Sequence, residues 1–225
     1  GAWMADANPG AAARGWVMMG YDGSQVVEYA SVSDLQAGSI SRSVSLDEDW
    51  SGTGHVVLDG VIYYNEEDTP SVVAYDMDNG VEIARADLPG AGYYNTYPYS
   101  YGGRTDIDLS ADNGSLYAVY STPSAAGRIV VSELNPQTLL VSQSWTATSA
   151  TKIDFSNTFV ACGVLYGVDS EQVDGPCFYC TDTTVDLAWD FRNGGTWDPA
   201  LSFTSPGSSG YIGAVDYNPA DGLIY

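Results

Sequence analysis

Positive charge is what this 225-residue chain has least of. Lys152 is its one lysine, His55 its one histidine, and the formal net charge is -22. A surface that acidic repels nucleic-acid phosphates and anionic lipid headgroups, which argues against both as partners. It fits a solvated extracellular surface, part of whose charge bound cations would cancel. No window approaches the roughly 20 apolar residues of a membrane-spanning helix. No leader segment precedes Gly1-Ala2-Trp3-Met4, so residues 1–225 read as a mature or trimmed segment. Helical periodicity is nearly absent, and aspartate greatly outnumbers glutamate, a bias toward turns.

Cysteine is scarce and odd in number: Cys162, Cys177 and Cys180. One is therefore free or paired outside the sequence. Cys177-Phe178-Tyr179-Cys180 has redox or zinc spacing, but no second Cys/His pair completes a tetrahedral site. No helix N-terminus is expected there to stabilise a thiolate. On a regular strand the two would lie about 10 Å apart, beyond disulfide reach. Buried thiols or a bridge across a distorted loop both fit.

What the chain does have is short apolar or alternating runs bounded by Gly, Asn, Asp and Ser, the pattern of strands joined by turns. Asn79-Gly80, Asn113-Gly114 and Asn193-Gly194 are hairpin signals, and Asp22-Gly23 is expected to turn a first strand pair, Trp16–Tyr21 and Gln25–Tyr29. One phrase recurs: an apolar run, a Gly-containing turn, and an apolar pair ending in Tyr. It stands at Val56–Tyr63, Leu109–Tyr117, Phe159–Tyr166 and Val215–Tyr225. With the Trp16 segment this makes five units about 50–60 residues apart, somewhat above the usual blade period. Four short strands per unit, radially repeated, predict an all-β, five-bladed β-propeller with four-stranded antiparallel blades. No linker marks a second domain, so residues 1–225 are expected to form one.

The run Thr105-Asp106-Ile107-Asp108-Leu109-Ser110 places two carboxylates two residues apart, on one face if the run is a strand. Side by side on a buried face they repel unless a proton or cation lies between them. A solvated strand edge is the plainer alternative. A glycoside-cleaving pair is the enzymatic one, since retaining enzymes space two carboxylates at about 5 Å. Taken singly, Asp216 before Tyr-Asn-Pro reads as a turn residue and Asn157 as a strand-end hydrogen bonder.

Eight segments in one order carry a family resemblance: Gly1–Met4, Trp50–Val57, Tyr63–Asn65, Thr105–Leu109, Tyr120–Thr122, Ile129–Pro136, Cys162–Tyr166 and Asp216–Pro219. Together they resemble the olfactomedin-domain family over almost the whole chain. The resemblance implies a secreted, non-enzymatic propeller that recognises extracellular proteins or matrix in adhesion. It also implies a Ca²⁺ ion in the central channel, often beside Na⁺. Matched motif to motif, the Ca²⁺ carboxylates fall on Asp108 and Asp216, the amide on Asn157, and main-chain carbonyls on Thr158 and Val215. Na⁺ would share the acids and add main-chain oxygens of Gly54 and Leu109. Such all-oxygen donor sets are what calcium, a hard cation, requires. Asp106 is expected to support the site through hydrogen bonds to its ligands.

Lys152 falls where the family has a basic residue, and is expected against a buried acid or an aromatic face. His55 is expected to be packed. The resemblance pairs Cys162 with a cysteine upstream of Gly1, and it continues past Tyr225 through a strand that helps to close the ring. Ring closure is then expected to need strands outside the sequence or from a neighbouring subunit. That makes a filament or matrix subunit, with strands or disulfides shared between chains, the second reading. Asn113-Gly114-Ser115 is a glycosylation sequon on a predicted hairpin tip. The loop Tyr93–Tyr101 reads as packing over one end of the propeller or as a recognition surface.

Overall fold

The structure is a computed structural model that describes residues 2–11, 14–172, 180–206 and 212–225. Its recurring phrases close hairpins, as their residues dictate. Asp59-Gly60, Asn113-Gly114 and Cys162-Gly163 each carry two consecutive positive φ values, 56° and 75°, 50° and 79°, 52° and 75°. That double left-handed conformation matches the twist of antiparallel strands, and glycine in second place makes it cheap.

The strands meander outward in groups. The first comprises β1 (Ala2–Ala5), β2 (Gly15–Met18), β3 (Asp22–Tyr29) and the first half of β4 (Arg42–Leu58). The second half of β4 continues with β5 (Val61–Glu66), β6 (Ser71–Asp76) and β7 (Val81–Asp87), so β4 joins two groups in one sheet. The third is β8 (Asp108–Asp112), β9 (Ser115–Tyr120), β10 (Arg128–Leu134) and β11 (Val141–Thr151). In the fourth, β12 (Asn157–Ala161) and β13 (Val164–Gln172) pair with β14 (Cys180–Asp190). The outer edge of β14 is shared by β15 (Gly195–Trp197) and β16 (Leu201–Pro206). A hairpin of β17 (Tyr217–Asn218) and β18 (Leu223–Ile224) follows. The five expected units are thus three four-stranded groups, a fourth of five strands whose outer position is divided between β15 and β16, and one hairpin among the described residues.

Two expectations need correcting. Asp22-Gly23 does not turn the first hairpin; both residues lie in β3, and the turn falls at Met19–Tyr21 with Gly20 at φ 87°. Gly23 is needed for a different reason: a Cβ there would meet the Trp50 ring at 2.9 Å. A short helix, α1 (Val32–Ala37), is also present. The Ser31 hydroxyl accepts from the Asp34 amide at 3.1 Å, and Gly38 ends the helix at φ 67°.

Alternating apolar residues fill the spaces between neighbouring groups. Val56, Tyr63 and Val72 pack with Leu109, Leu116 and Val130. Val119, Ile129 and Val131 pack with Val160, Leu165 and Trp189. Each fully buried aliphatic side chain contributes about 1.5–3 kcal/mol. The first strands of the groups meet at the centre: β8 touches β4, β12 and β17, β12 touches β17, and β1 touches β4. The terminal hairpin also rests on the start of the chain. Trp3 and Tyr225 lie with ring centroids 4.6 Å apart, and the Asn218 amide donates to the Asp6 carbonyl at 3.4 Å.

Candidate cation site at the hub

The central strands bring residues from four distant stretches together. Gly54, Asp108, Leu109, Asn157, Val215 and Asp216 line one cavity of about 20 Å³. A water-sized particle needs about 10–15 Å³, so this space suits one ion or one water. Gly54 sits in the irregular stretch of β4, where pairing with β5 slips between Ser51 and Val56. A Cβ there would lie 2.0 Å from Asp108 Oδ1, so only glycine lets this backbone reach the carboxylate. Thr158 is not among the lining residues; its hydroxyl lies 2.5 Å from that of Tyr99.

Asp108 and Asp216 are poorly neutralised. Asp108 accepts from the Tyr99 hydroxyl at 2.6 Å, and burial pushes its pKa up to about 6 against the partial relief given by Lys152 and Tyr99. Asp216 accepts from the Ser110 hydroxyl and the Tyr217 amide, both at 2.9 Å. Burial raises it well above the usual carboxylate range, and the charge of Asp108 adds to the rise. Asp216 as a whole residue is only half-buried, so desolvation of its inward carboxylate, not of the residue, drives that direction. Ser110 couples three groups, since it also accepts from the Val160 amide at 3.2 Å.

Lys152 is the local cation, as its expected placement against an aromatic face required. Its Nζ lies 3.8 Å above the centre of the Tyr99 ring and donates to the Val119 carbonyl at 3.2 Å. Burial lowers its pKa to about 8, with Asp108 and then Asp106 opposing. His55 is packed at 3% exposure, edge-on to Trp50, and burial lowers it to about 3 with the Gly52 backbone only partly opposing.

Asp106 does not share a strand face with Asp108, because β8 begins only at Asp108. Its oxygens accept instead from the amides of Asn95 at 2.7 Å and Tyr97 at 2.6 Å, in the tyrosine-rich loop. Those bonds hold Tyr94 and Asn95 at positive φ values of 55° and 61°. Its hydrogen bonds therefore support a loop; none goes to a residue proposed as a ligand.

The donors at the hub fit a hard cation better than a soft one: two carboxylates, an amide and main-chain oxygens. No three His, Cys, Asp or Glu side chains gather at one point among the described residues. An ion here would draw on Asn157 and main-chain oxygens to fill its shell. Asn113 occupies the exposed tip between β8 and β9, and Cys162 is exposed at the β12–β13 turn with no disulfide partner among the described residues. Cys177 and the side chain of Cys180 lie outside the described residues. Reading by motif missed Tyr99, Ser110 and Thr53, whose hydroxyls reach across groups and leave no local signature.

Sheets meandering outward from a charged centre define the class: an all-β propeller with buried acids on its axis. The olfactomedin-like domain matches residues 1–225, and the chain belongs to that family. It is 38% identical over 205 residues to adhesion G protein-coupled receptor L1 of Homo sapiens, and 37% to the Mus musculus protein of that name. Each match covers 91% of this chain and 14% of the relative, so the chain spans about one-seventh of their length. Among solved structures, Kuenenia stuttgartiensis hydrazine synthase aligns over 88% of this chain and 49% of that one, at TM-score 0.50 and 11% identity. BamB from Moraxella catarrhalis aligns over 82% and 45%, at 0.42 and 8%.

Proposed function

We propose that this chain is a non-enzymatic, extracellular protein-interaction and adhesion module whose groups of strands are tied together at the axis by a structural Ca²⁺. One observation carries the reading: two carboxylate residues and an amide residue, Asp108, Asp216 and Asn157, line one small cavity together with backbone from β4, β8 and the segment before β17. Asp108, Asp216 and Asn157 would supply side-chain oxygens, and Thr158 and Val215 main-chain ones. A Na⁺ ion beside it would use Gly54 and Leu109 and would need more room than this one-ion cavity gives. The bound ion supplies positive charge where Lys152 alone leaves two carboxylates under-compensated. We read the terminal hairpin as the inner part of a fifth blade.

The family and the charge of -22 support an extracellular setting with proteins or matrix as partners. The matched relatives are receptors by name, so the module is proposed either as secreted or as one part of a receptor's outer region. No described helix is long and apolar enough to cross a membrane. A hub cavity this small admits no sugar, which favours binding over glycoside cleavage. A glycan on Asn113 would project from its exposed tip without touching the hub.

Calcium titration followed by thermal unfolding tests the site. At 100-fold excess over Kd a ligand adds about 2.7 kcal/mol, or about 5–10 °C in Tm for a chain of this size. The expected result is that rise for the wild type and none for Asp108→Ala. No rise in either sinks the calcium assignment.

A further inference from the structure

Beside the hub lies a far larger cleft of about 510 Å³, lined by Tyr21, Thr53, Tyr94, Tyr101, Arg104 and Gly213. Its aromatic faces are already taken. Arg104 stacks over Tyr94 at 5.4 Å and Tyr21 at 6.0 Å. Its charge is met by Glu67, to which it bonds, and by Asp22 and Asp68, each at 3.7 Å. Three carboxylates against one guanidinium leave the mouth net negative, a field that concentrates cations.

Thr53 lines both this cleft and the small hub cavity. From it the chain runs inward through Gly54 and His55, while Gly213 leads to Ala214, Val215 and Asp216 in the same cavity wall. Where the spaces meet, three groups close on one another. The Tyr101 hydroxyl donates to the Gly213 carbonyl at 2.7 Å, the Thr53 hydroxyl donates to the same oxygen, and the two hydroxyls lie 3.2 Å apart. Those contacts join side chains to one carbonyl, so rotating a hydroxyl side chain would part them without unpairing a strand.

We propose that the cleft is the vestibule of the cation site and that Thr53, Tyr101 and the Gly213 carbonyl form its inner door, setting how fast the ion exchanges. The inference rests on the calcium reading above. It gives the hydroxyls a kinetic role separate from the ligands: they slow entry and release alike.

The test loads the whole chain with calcium, mixes it with excess fluorescent chelator, and follows release by stopped flow. Thr53→Val and Tyr101→Phe each keep side-chain shape and delete one hydroxyl. Losing one such hydrogen bond from the closed state is worth about tenfold in rate, so release should quicken about tenfold in each variant. Equilibrium Kd should move much less, because entry quickens too. Leu140→Ala, at an exposed surface residue that lines neither cavity, should leave release unchanged. Wild-type release rates in both hydroxyl variants overturn the door while leaving the calcium site standing. A wild type that binds no calcium removes both. Should Thr53→Val misfold by circular dichroism, Tyr101→Phe alone decides.

Discussion

Two clusters of acid treat the same side chains in opposite ways. On the flank of the first strand group, Glu28 receives the Trp16 indole at 3.1 Å and the Arg42 guanidinium at 2.7 Å, with Arg14 at 3.7 Å. Arg14 goes on to pair with Asp78 at 2.7 Å, and that hydrogen bond holds Asp78 below the usual carboxylate range. At the hub, one lysine held against a ring partly relieves Asp108 and not Asp216, and both acids are pushed upward. The flank carries its compensation within the chain. The hub does not, and a buried charge without a partner is costly. A chain with seven basic residues in 225 has placed two of them on Glu28 and Asp78 and one lysine on its axis. The contrast is the physical case for an external cation.

Breaking the self-contained side should have the largest effect. Glu28→Gln leaves two guanidinium groups without their buried carboxylate, a loss of about 3 kcal/mol. Urea titration should show it equally with and without calcium; a calcium-dependent difference would mean the clusters are coupled. The hub should respond to pH. With the Asp108 pKa raised to about 6, the folded state favours the protonated acid. Its contribution is therefore intact below about pH 4 and lost as pH rises through 6, by about 2–3 kcal/mol. His55, lowered to about 3, acts the other way: stability is lost as pH falls below about 6.5. Comparing wild type with Asp108→Asn cancels the histidine. Without calcium the variant should match the wild type at pH 4 and exceed it at pH 7; with calcium at pH 7 the order should reverse. A pH-independent difference in calcium-free protein would mean the acid is not strained.

Much of this architecture is legible in the residues. Asp59-Gly60, Asn113-Gly114 and Cys162-Gly163 announce their hairpins because a double left-handed turn needs glycine in place. Gathering Gly54, Asp108, Asn157, Val215 and Asp216 into one cavity needed the family pattern, since separations of tens of residues carry no local periodicity. Asp106 shows the limit. Alternation along a strand puts residues two apart on one face only where the strand exists, and here the loop amides of Asn95 and Tyr97 compete successfully for the carboxylate. Asp22-Gly23 failed similarly, because glycine also serves close approach, in this case to Trp50.

Asp106 supplies the next contrast. Asp106→Ala removes the acceptor for two loop amides, a loss of about 1–2 kcal/mol, and should leave calcium-induced stabilisation in place. Loss of that stabilisation would make Asp106 part of the site after all.

The smallest effect is expected at Asp78, and it decides whether burial explains the contrast. Asp78 shares arginines with Glu28, yet its side chain is 61% exposed against 9% for Glu28. Exposed ion pairs contribute about 0–1 kcal/mol and are screened by salt. Asp78→Asn should therefore cost well under half of what Glu28→Gln does, and the cost should vanish at high ionic strength while that of Glu28→Gln persists. If the two substitutions cost the same, pairing with arginine matters more than removal from water. The hub acids would then need a partner for reasons other than burial, and the case for a cation would rest on donor geometry alone.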